Sequence, residues 1–216
     1  YQGDVGQAVD DVLTEVEARL TWRPQRELSV FDRLLKVGKA LLCLKEIEFL
    51  GVPQEGEVPE RLERLIDHLV VPLEEEYLDG RREDSVVARV KKLRIAILPD
   101  MVAGELSDEE SERRWRQLAD LYLAQQLAWY PADYVRSRPT VDRIRETIER
   151  FEEDVTDQVR AHRPLHCVVQ IDEAIEVSPK RQRGKDGDPL MQRIEERLGG
   201  MLDELAEESQ VVPNPF

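Results

Sequence analysis

The sequence predicts a mainly α-helical protein, with about seven amphipathic helices and one or two short strands near the C-terminal end. Apolar residues recur every three or four positions through most of the chain, which places them on one face of a helix. The run from Leu165 to Val177 differs from this pattern. It is rich in β-branched residues and lies between Pro164 and Pro179, which predicts a strand.

The predicted helix bounds follow from capping residues and prolines. Six helices are expected before the strand, with approximate ranges of 4–20, 29–50, 59–77, 85–98, 107–131 and 141–160. A last helix opens at Asp188, with Pro189 in the favoured first turn. Pro72 is expected to kink or split the third helix, and Pro99 to stop the fourth. No internal repeat period is apparent.

A single strand cannot satisfy its own backbone N–H and C=O groups, and a two-stranded hairpin is marginal alone. The chain supplies almost no other strand signal. We therefore expect residues 165–177 to belong to a larger α/β sheet, of which this chain forms one part. The start at Tyr1 rather than at a methionine fits an excised or processed piece.

The charge balance argues against one class of partner. The 31 Lys and Arg residues against 46 Asp and Glu residues give a net charge of −15. General nucleic-acid binding is not expected, because it depends on neutralising phosphates. Cys43 and Cys167 are predicted to be small buried hydrophobes in a reducing compartment and not a disulfide. No run approaches the roughly 20 apolar residues that span a bilayer.

Histidines are the first candidates for acid–base chemistry. His68 is adjacent to Asp67, but neighbouring residues on a helix face different ways, so we interpret it as solvated or capped. The spacing of His162 and His166 would suit zinc on a helix, and Pro164 between them breaks that geometry. No nucleophile, phosphate-loop or zinc motif is present. We interpret the acidic runs 74–76, 108–110 and 152–154 as solvated faces or helix ends, and predict no metal or cofactor site.

A basic loop is the best binding candidate that the residues alone offer. It carries four cations directly before a helix N-terminus, at Lys180, Arg181, Arg183 and Lys185. On an acidic chain this pattern predicts an anion site for a phosphate, a lipid headgroup or an acidic partner. The alternative is a flexible solvated turn that balances nearby glutamates.

Aromatic residues in and after the fifth predicted helix form another candidate. They are Trp115, Tyr122, Trp129, Tyr130 and Tyr134. They could make a face toward a membrane or a ligand. Their helical spacing favours core packing, which is the interpretation we adopt.

Both ends of the chain carry a family resemblance. Tyr-Gln-Gly-Asp at 1–4 precedes an amphipathic helix, and Val-Gln-Ile-Asp-Glu-Ala-Ile-Glu-Val at 169–177 precedes Asp-Pro-Leu-Met at 188–191 and a closing helix. These segments resemble the C-terminal part of the glycerolipid acyltransferase family, the bacterial 1-acylglycerol-3-phosphate acyltransferases. The family's strand pair has the form hydrophobic-x-Ile-Gly-x-Pro-Ile-x-Val. Here Asp172 stands in place of the Gly and Ala174 in place of the Pro.

The resemblance implies a division of the chain into four parts. Residues 1–25 would be the end of an acyltransferase-like α/β core, 26–163 a helical insertion, 164–209 the strand pair and closing helix of the core, and 210–216 a frayed tail. The family's catalytic His-x-x-x-x-Asp and its phosphate-holding Glu-Gly-Thr-Arg are absent. Both lie upstream of this region in the family, so no catalytic residue is carried over. At most, the basic loop would contribute to recognition of the headgroup or of acyl carrier protein.

The function that the resemblance implies belongs to phospholipid biosynthesis. A fatty acyl group would pass from a thioester donor to a lysophospholipid such as 1-acylglycerol-3-phosphate, and this chain would not be active by itself. The implied partners are the rest of the acyltransferase core, acyl carrier protein or acyl-CoA, and an anionic membrane surface, at a cytoplasmic location on the inner membrane. The first alternative is a non-enzymatic helical protein-interaction module, and an independent enzyme comes after it.

Overall fold

The mainly α-helical prediction is confirmed. The computed structural model describes residues 5–129, 133–161, 164–180 and 188–212. In these ranges the helices are α1 (Val5–Arg19), α2 (Val30–Leu50), α3 (Val58–Leu78), α4 (Val86–Ala103), α5 (Asp108–Ala128), α6 (Tyr134–Ser137), α7 (Val141–Thr156) and α8 (Pro189–Glu207). The sequence pattern did not predict the four-residue α6, which is too short to show a period.

Side-chain caps begin the helices where the sequence predicts them. The Ser107 hydroxyl accepts a hydrogen bond from the Glu110 backbone N–H at 3.2 Å. The same arrangement precedes α2, α4 and α7, where the capping residues are Ser29, Ser85 and Thr140. Each cap satisfies one of the N–H groups that a helix leaves without an internal partner.

Pro72 does not split α3, and the prediction that Pro99 stops α4 is wrong. A kink at Pro72 stays a prediction. α3 continues through Pro72, and α4 continues through Pro99 to Ala103. Each proline removes one backbone N–H, but α3, α4 and α5 pack against one another, and tertiary packing supplies most of a helix's stability. α4 ends at Ala103, and the following Gly104 has a φ of 72°, a left-handed conformation that glycine adopts without a steric penalty.

The chain divides into two compact units. In the unit Leu35–Tyr134, α3, α4 and α5 surround a core that includes Leu65, Leu93 and Leu121, all fully buried. The other unit combines Tyr1–Leu34 with Val135–Phe216. Here α1 packs against α7, and the buried residues are Val9, Val12, Leu13 and Val16 of α1 with Val141, Ile144 and Ile148 of α7.

The predicted strand does not form within the part of the chain that the structure describes. Residues 165–180 have no regular secondary structure, and no backbone–backbone hydrogen bond joins them to another described residue. An isolated antiparallel bridge pairs Thr140 with Val211, and the Val141 N–H donates to the Gln210 carbonyl at 2.8 Å. This bridge anchors 210–212; the remaining four residues of the predicted frayed tail lie outside the described residues.

A Glu–Arg pair with a buried glutamate links each of the first three helices to the next. Arg33 Nε donates to Glu17 at 2.9 Å, Arg61 Nε donates to Glu46 at 2.8 Å, and Arg89 Nε donates to Glu74 at 2.7 Å. In each pair Nη2, on the same guanidinium edge, also donates to the other carboxylate oxygen. Two parallel charge-assisted hydrogen bonds fix both the distance and the orientation of the side chains.

These pairs reveal a repeat that the sequence analysis missed. Arg33, Arg61 and Arg89 are 28 residues apart, and each lies four residues after its helix N-cap. Glu74 is fully buried, so the expectation that the acidic run 74–76 is a solvated face is wrong at that residue. It is also wrong at Glu152, which is 1% exposed and bonds to Arg160.

Candidate functional site

The β-branched segment lies along α8, held by polar contacts. Arg197 forms an ion pair with Asp172 at 3.2 Å and donates to the Glu173 backbone carbonyl at 3.0 Å. Gln170 Nε2 donates to the Glu204 carboxylate at 3.1 Å. As the segment advances from Gln170 to Glu173, its partner on the helix moves back from Glu204 to Arg197. The segment therefore runs antiparallel to α8.

The spacing of these contacts agrees with an extended segment. Three residues of extended backbone, from 170 to 173, cover about 10 Å at roughly 3.3 Å per residue. Seven helical residues, from 197 to 204, also cover about 10 Å at roughly 1.5 Å per residue. The two lengths match. A segment followed by an antiparallel helix is also the order found in the β–loop–α half of a βαβ unit.

The segment presents its polar side to α8 and its apolar side to solvent. Gln170 and Asp172 make the contacts with the helix. Because side chains alternate along extended backbone, Val169 and Ile171 point the other way. Their exposed fractions are 77% and 89%. A β-prone segment thus makes no backbone–backbone hydrogen bond to the described residues, and its apolar side at Val169 and Ile171 is exposed.

The helix beside it has an apolar stripe that is only partly covered. The stripe consists of the exposed Met191, Leu198 and Leu202 and the half-buried Ile194 and Leu205, and no described residue of α8 is buried. Arg197 and Glu204, which contact the segment, lie about a quarter turn away on the helical wheel. The C-terminal end of α8 is nevertheless fixed. Arg138 donates to the Ala206 carbonyl, and Ser209 Oγ bonds to Asp142 at 3.0 Å.

The predicted basic loop is only partly within the described residues. Arg181, Arg183 and Lys185 lie outside them, and Lys180 is exposed. The N-terminus of α8 is already capped, because the Asp188 carboxylate accepts a hydrogen bond from the Leu190 N–H at 3.0 Å. A carboxylate at this position weakens the contribution of the helix N-terminus to an anion site.

The structure brings none of the predicted acid–base or thiol residues together. His68 and His166 are exposed on α3 and in the extended segment, and His162 lies outside the described residues. Cys43 is half-buried and Cys167 is exposed, so the prediction that both are buried is wrong for Cys167. In the described ranges no three His, Cys, Asp or Glu side chains are arranged to hold a metal ion.

The aromatic prediction is wrong for three residues. Trp115 is 63% exposed, and Tyr122 and Trp129 are also exposed. The core face of α5 is instead formed by Leu118, Leu121 and Ala124. A spacing of seven residues places the three aromatic side chains together on a face beside this core. Tyr134 is half-buried, and Tyr130 lies outside the described residues.

Most of the shifted pKa values belong to ion pairs within or between helices. Hydrogen bonds from Arg113 and Arg114 lower the pKa of Glu110 to about 2. The hydrogen bond from Arg61 holds the pKa of Glu46 below its ordinary value. Burial, with a smaller effect of Glu48, raises the pKa of Asp120. These shifts accompany stable charge pairing and partial burial, and they do not mark a catalytic centre.

In the described part of the chain, no helix has both the length and the apolar character that crossing a membrane requires. Neither a protein-family model, nor a curated protein sequence, nor a solved structure matches this chain.

Proposed function

We propose that this chain is the C-terminal part of a glycerolipid acyltransferase. The enzyme would transfer a fatty acyl group from a thioester donor to a lysophospholipid such as 1-acylglycerol-3-phosphate. In this proposal the chain is not active by itself, because it lacks the family's His-x-x-x-x-Asp and Glu-Gly-Thr-Arg. One observation carries the proposal. The segment 165–177, which resembles the closing strand of the family, lies on α8 and makes no backbone–backbone hydrogen bond to the described residues.

Adding this segment to a sheet would remove two unfavourable exposures at once. Its N–H and C=O groups would gain ladder hydrogen bonds from a neighbouring strand. Its apolar side, with Val169 and Ile171, would gain a covering layer, as strands buried on both faces have in α/β proteins. The stripe on α8 would then pack on the same sheet, which is the usual position of a helix that follows a strand.

A proline substitution tests whether the segment joins a sheet. Val169→Pro removes one ladder N–H, and proline is not accommodated within a central strand. Val159→Pro is the matched control, since Val159 is also exposed and has no regular structure, but lies outside the predicted strand. In the complete gene product we expect Val169→Pro to abolish acyl transfer to 1-acylglycerol-3-phosphate, and Val159→Pro to preserve it.

Two outcomes would contradict the proposal. One is a gene in which an initiator methionine directly precedes Tyr1, since no acyltransferase motif could then come first. The other is a complete gene product that binds neither acyl-CoA nor acyl carrier protein and transfers no acyl group. Intact mass of the native protein and a radiolabelled acyl-transfer assay decide between them.

Recognition of the headgroup or of acyl carrier protein by the basic loop stays a prediction. The test is a variant in which Lys180, Arg181, Arg183 and Lys185 are all replaced by serine. Each basic residue near an anionic surface contributes about 1 kcal/mol, so the variant should bind anionic vesicles much more weakly. Unchanged binding would remove the loop from the proposal.

A helical protein-interaction module is the second candidate. The observation that favours it is that Leu35–Tyr134 has a hydrophobic core of its own, formed by α3, α4 and α5 with residues of α2. Such a unit could present a binding surface without any contribution from an enzyme. A complete gene product that has no acyl-transfer activity but forms a defined complex would support this candidate.

A further inference from the structure

The outward face of α4 is apolar although its inward face already fills the core. Val90, Leu93 and Ile97 are buried, while Ile95 and Val102 are exposed, Val102 to 82%. The exposed side chains line an open groove of about 720 Å³ that extends to Gln125 of α5. Soluble monomers rarely expose continuous apolar patches of this kind without a partner.

The aromatic stripe of α5 continues this surface. Tyr122 lies three residues before Gln125 and Trp129 lies four residues after it, and both spacings make helix neighbours. Trp115 precedes Tyr122 by seven residues on the same face. The exposed Ala119 lies between these two rings, four residues after Trp115 and three before Tyr122. Gln125 therefore joins the groove to the stripe, and we call the groove and the stripe together the α4–α5 face.

The groove also carries two cations that have no carboxylate partner among the described residues. Lys91 and Arg94 line it, and neither forms an ion pair there. The adjacent Lys92 differs, because it forms an ion pair with Glu83 at 3.5 Å. None of the described residues that line the groove is acidic. This is a local positive charge on a chain whose net charge is −15.

We propose that the α4–α5 face docks on the surface of an anionic lipid bilayer. Trp and Tyr side chains favour the boundary between acyl chains and headgroups, because their rings are apolar and their N–H and O–H groups are polar. The Val, Ile and Leu side chains of α4 enter the acyl region, as in amphipathic helices that lie in the interface. Lys91 and Arg94 meet the anionic headgroups. The inference uses only α4 and α5 and is independent of the sheet proposed above.

Brominated lipids test this contact directly, because bromine on the acyl chains quenches only tryptophans that reach them. The chain has three tryptophans, of which Trp22 is remote from α4 and α5 in sequence. W22F leaves Trp115 and Trp129 as reporters, and W115F/W129F leaves Trp22 alone. With vesicles of phosphatidylglycerol and brominated phosphatidylcholine, we expect quenching of W22F fluorescence and no quenching of W115F/W129F fluorescence. Equal quenching of both, or none in either, would overturn the proposal.

Charge variants separate this face from the basic loop. K91S/R94S should weaken vesicle binding about 10- to 30-fold, since each cation contributes about 1 kcal/mol. The serine variant of the loop at 180–185 should retain quenching of Trp115 and Trp129. Loss of that quenching in the loop variant would overturn the proposal. A dimer that forms without lipid, is detected by sedimentation and dissociates in the Ile95→Ser variant would also overturn it. Thermal unfolding monitored by circular dichroism confirms that each variant is folded.

Discussion

α7 and α8 have similar amphipathic sequences but different surroundings. Each begins at a side-chain cap, at Thr140 and at Asp188. α7 buries Ile144 and Ile148 in the unit where it packs against α1, whereas no described residue of α8 is buried. The difference teaches that an amphipathic pattern predicts a helix with an apolar face. It does not show whether that face is covered within the same stretch of chain.

Charge pairing follows the same division. In helices that pack against other described helices, some carboxylates are buried and bonded to arginine. Glu74, which bonds to Arg89 at 2.7 Å, is an example. On α8 the corresponding pair, Arg197 with Asp172, is about one-third exposed on each side. Buried pairs fix the packing of helices whose apolar faces are covered within the described residues. The exposed pair positions a segment that, in our proposal, makes its main contacts with a larger sheet.

The largest expected effect comes from breaking a buried pair. Arg89→Met leaves the Glu74 carboxylate buried with only the longer contact to Arg82, at 3.4 Å, and should cost about 3–5 kcal/mol of unfolding free energy. Arg197→Met removes the exposed pair on α8 and should cost at most about 1 kcal/mol. Urea unfolding of both variants measures the difference. Equal losses would contradict the distinction between covered and uncovered helices.

A smaller contrast is expected from apolar truncation in the two helices. Ile148→Ala empties a fully buried site and should cost about 2–5 kcal/mol. Leu198→Ala, on the exposed stripe of α8, should change the unfolding free energy of this chain by no more than about 0.5 kcal/mol. A thermal denaturation series provides the measurement. A large loss at Leu198 would mean that α8 has a partner within the chain.

The smallest expected effect is on the pH dependence of stability. The pKa of Glu46 is lowered by Arg61, and that of Glu110 is lowered to about 2 by Arg113 and Arg114. Because the folded pKa lies below the unfolded value of 4.5, the unfolded state binds more protons as the pH falls. The stabilisation is complete above about pH 4.5 and is lost as the pH falls toward 2. Urea unfolding at pH 6 and pH 3 tests this, and Glu110→Gln should show a shallower decline. Stability that rises on acidification would contradict it.

The sequence predicted the features that depend on local chemistry. Capping at Ser85, Ser107 and Thr140 was correct, because a hydroxyl at an N-cap needs only its own next turn. The continuation of α4 through Pro99 was not predicted, since packing against α3 and α5 outweighs the lost hydrogen bond. Local rules therefore located the helix starts better than their ends.

The candidate site was predicted in part, and the physical reasons differ from residue to residue. The unusual character of 165–177 was visible in its β-branched residues, but its contact with α8 through Arg197 requires the three-dimensional arrangement. The burial of Glu74 was missed because a run of three glutamates usually faces solvent. The exposure of Trp115 was missed because large aromatic residues usually fill cores.

Hydrogen–deuterium exchange of the peptide 165–177 tests the central claim most directly. Amides without a hydrogen-bond partner exchange rapidly, whereas those in a ladder exchange only through opening reactions. In this chain alone we predict rapid exchange over 165–177 and slow exchange over α7. In the complete gene product, 165–177 should become as protected as a core strand. Protection in the chain alone, or continued rapid exchange in the complete protein, would contradict the assignment of this segment as a strand of a larger sheet.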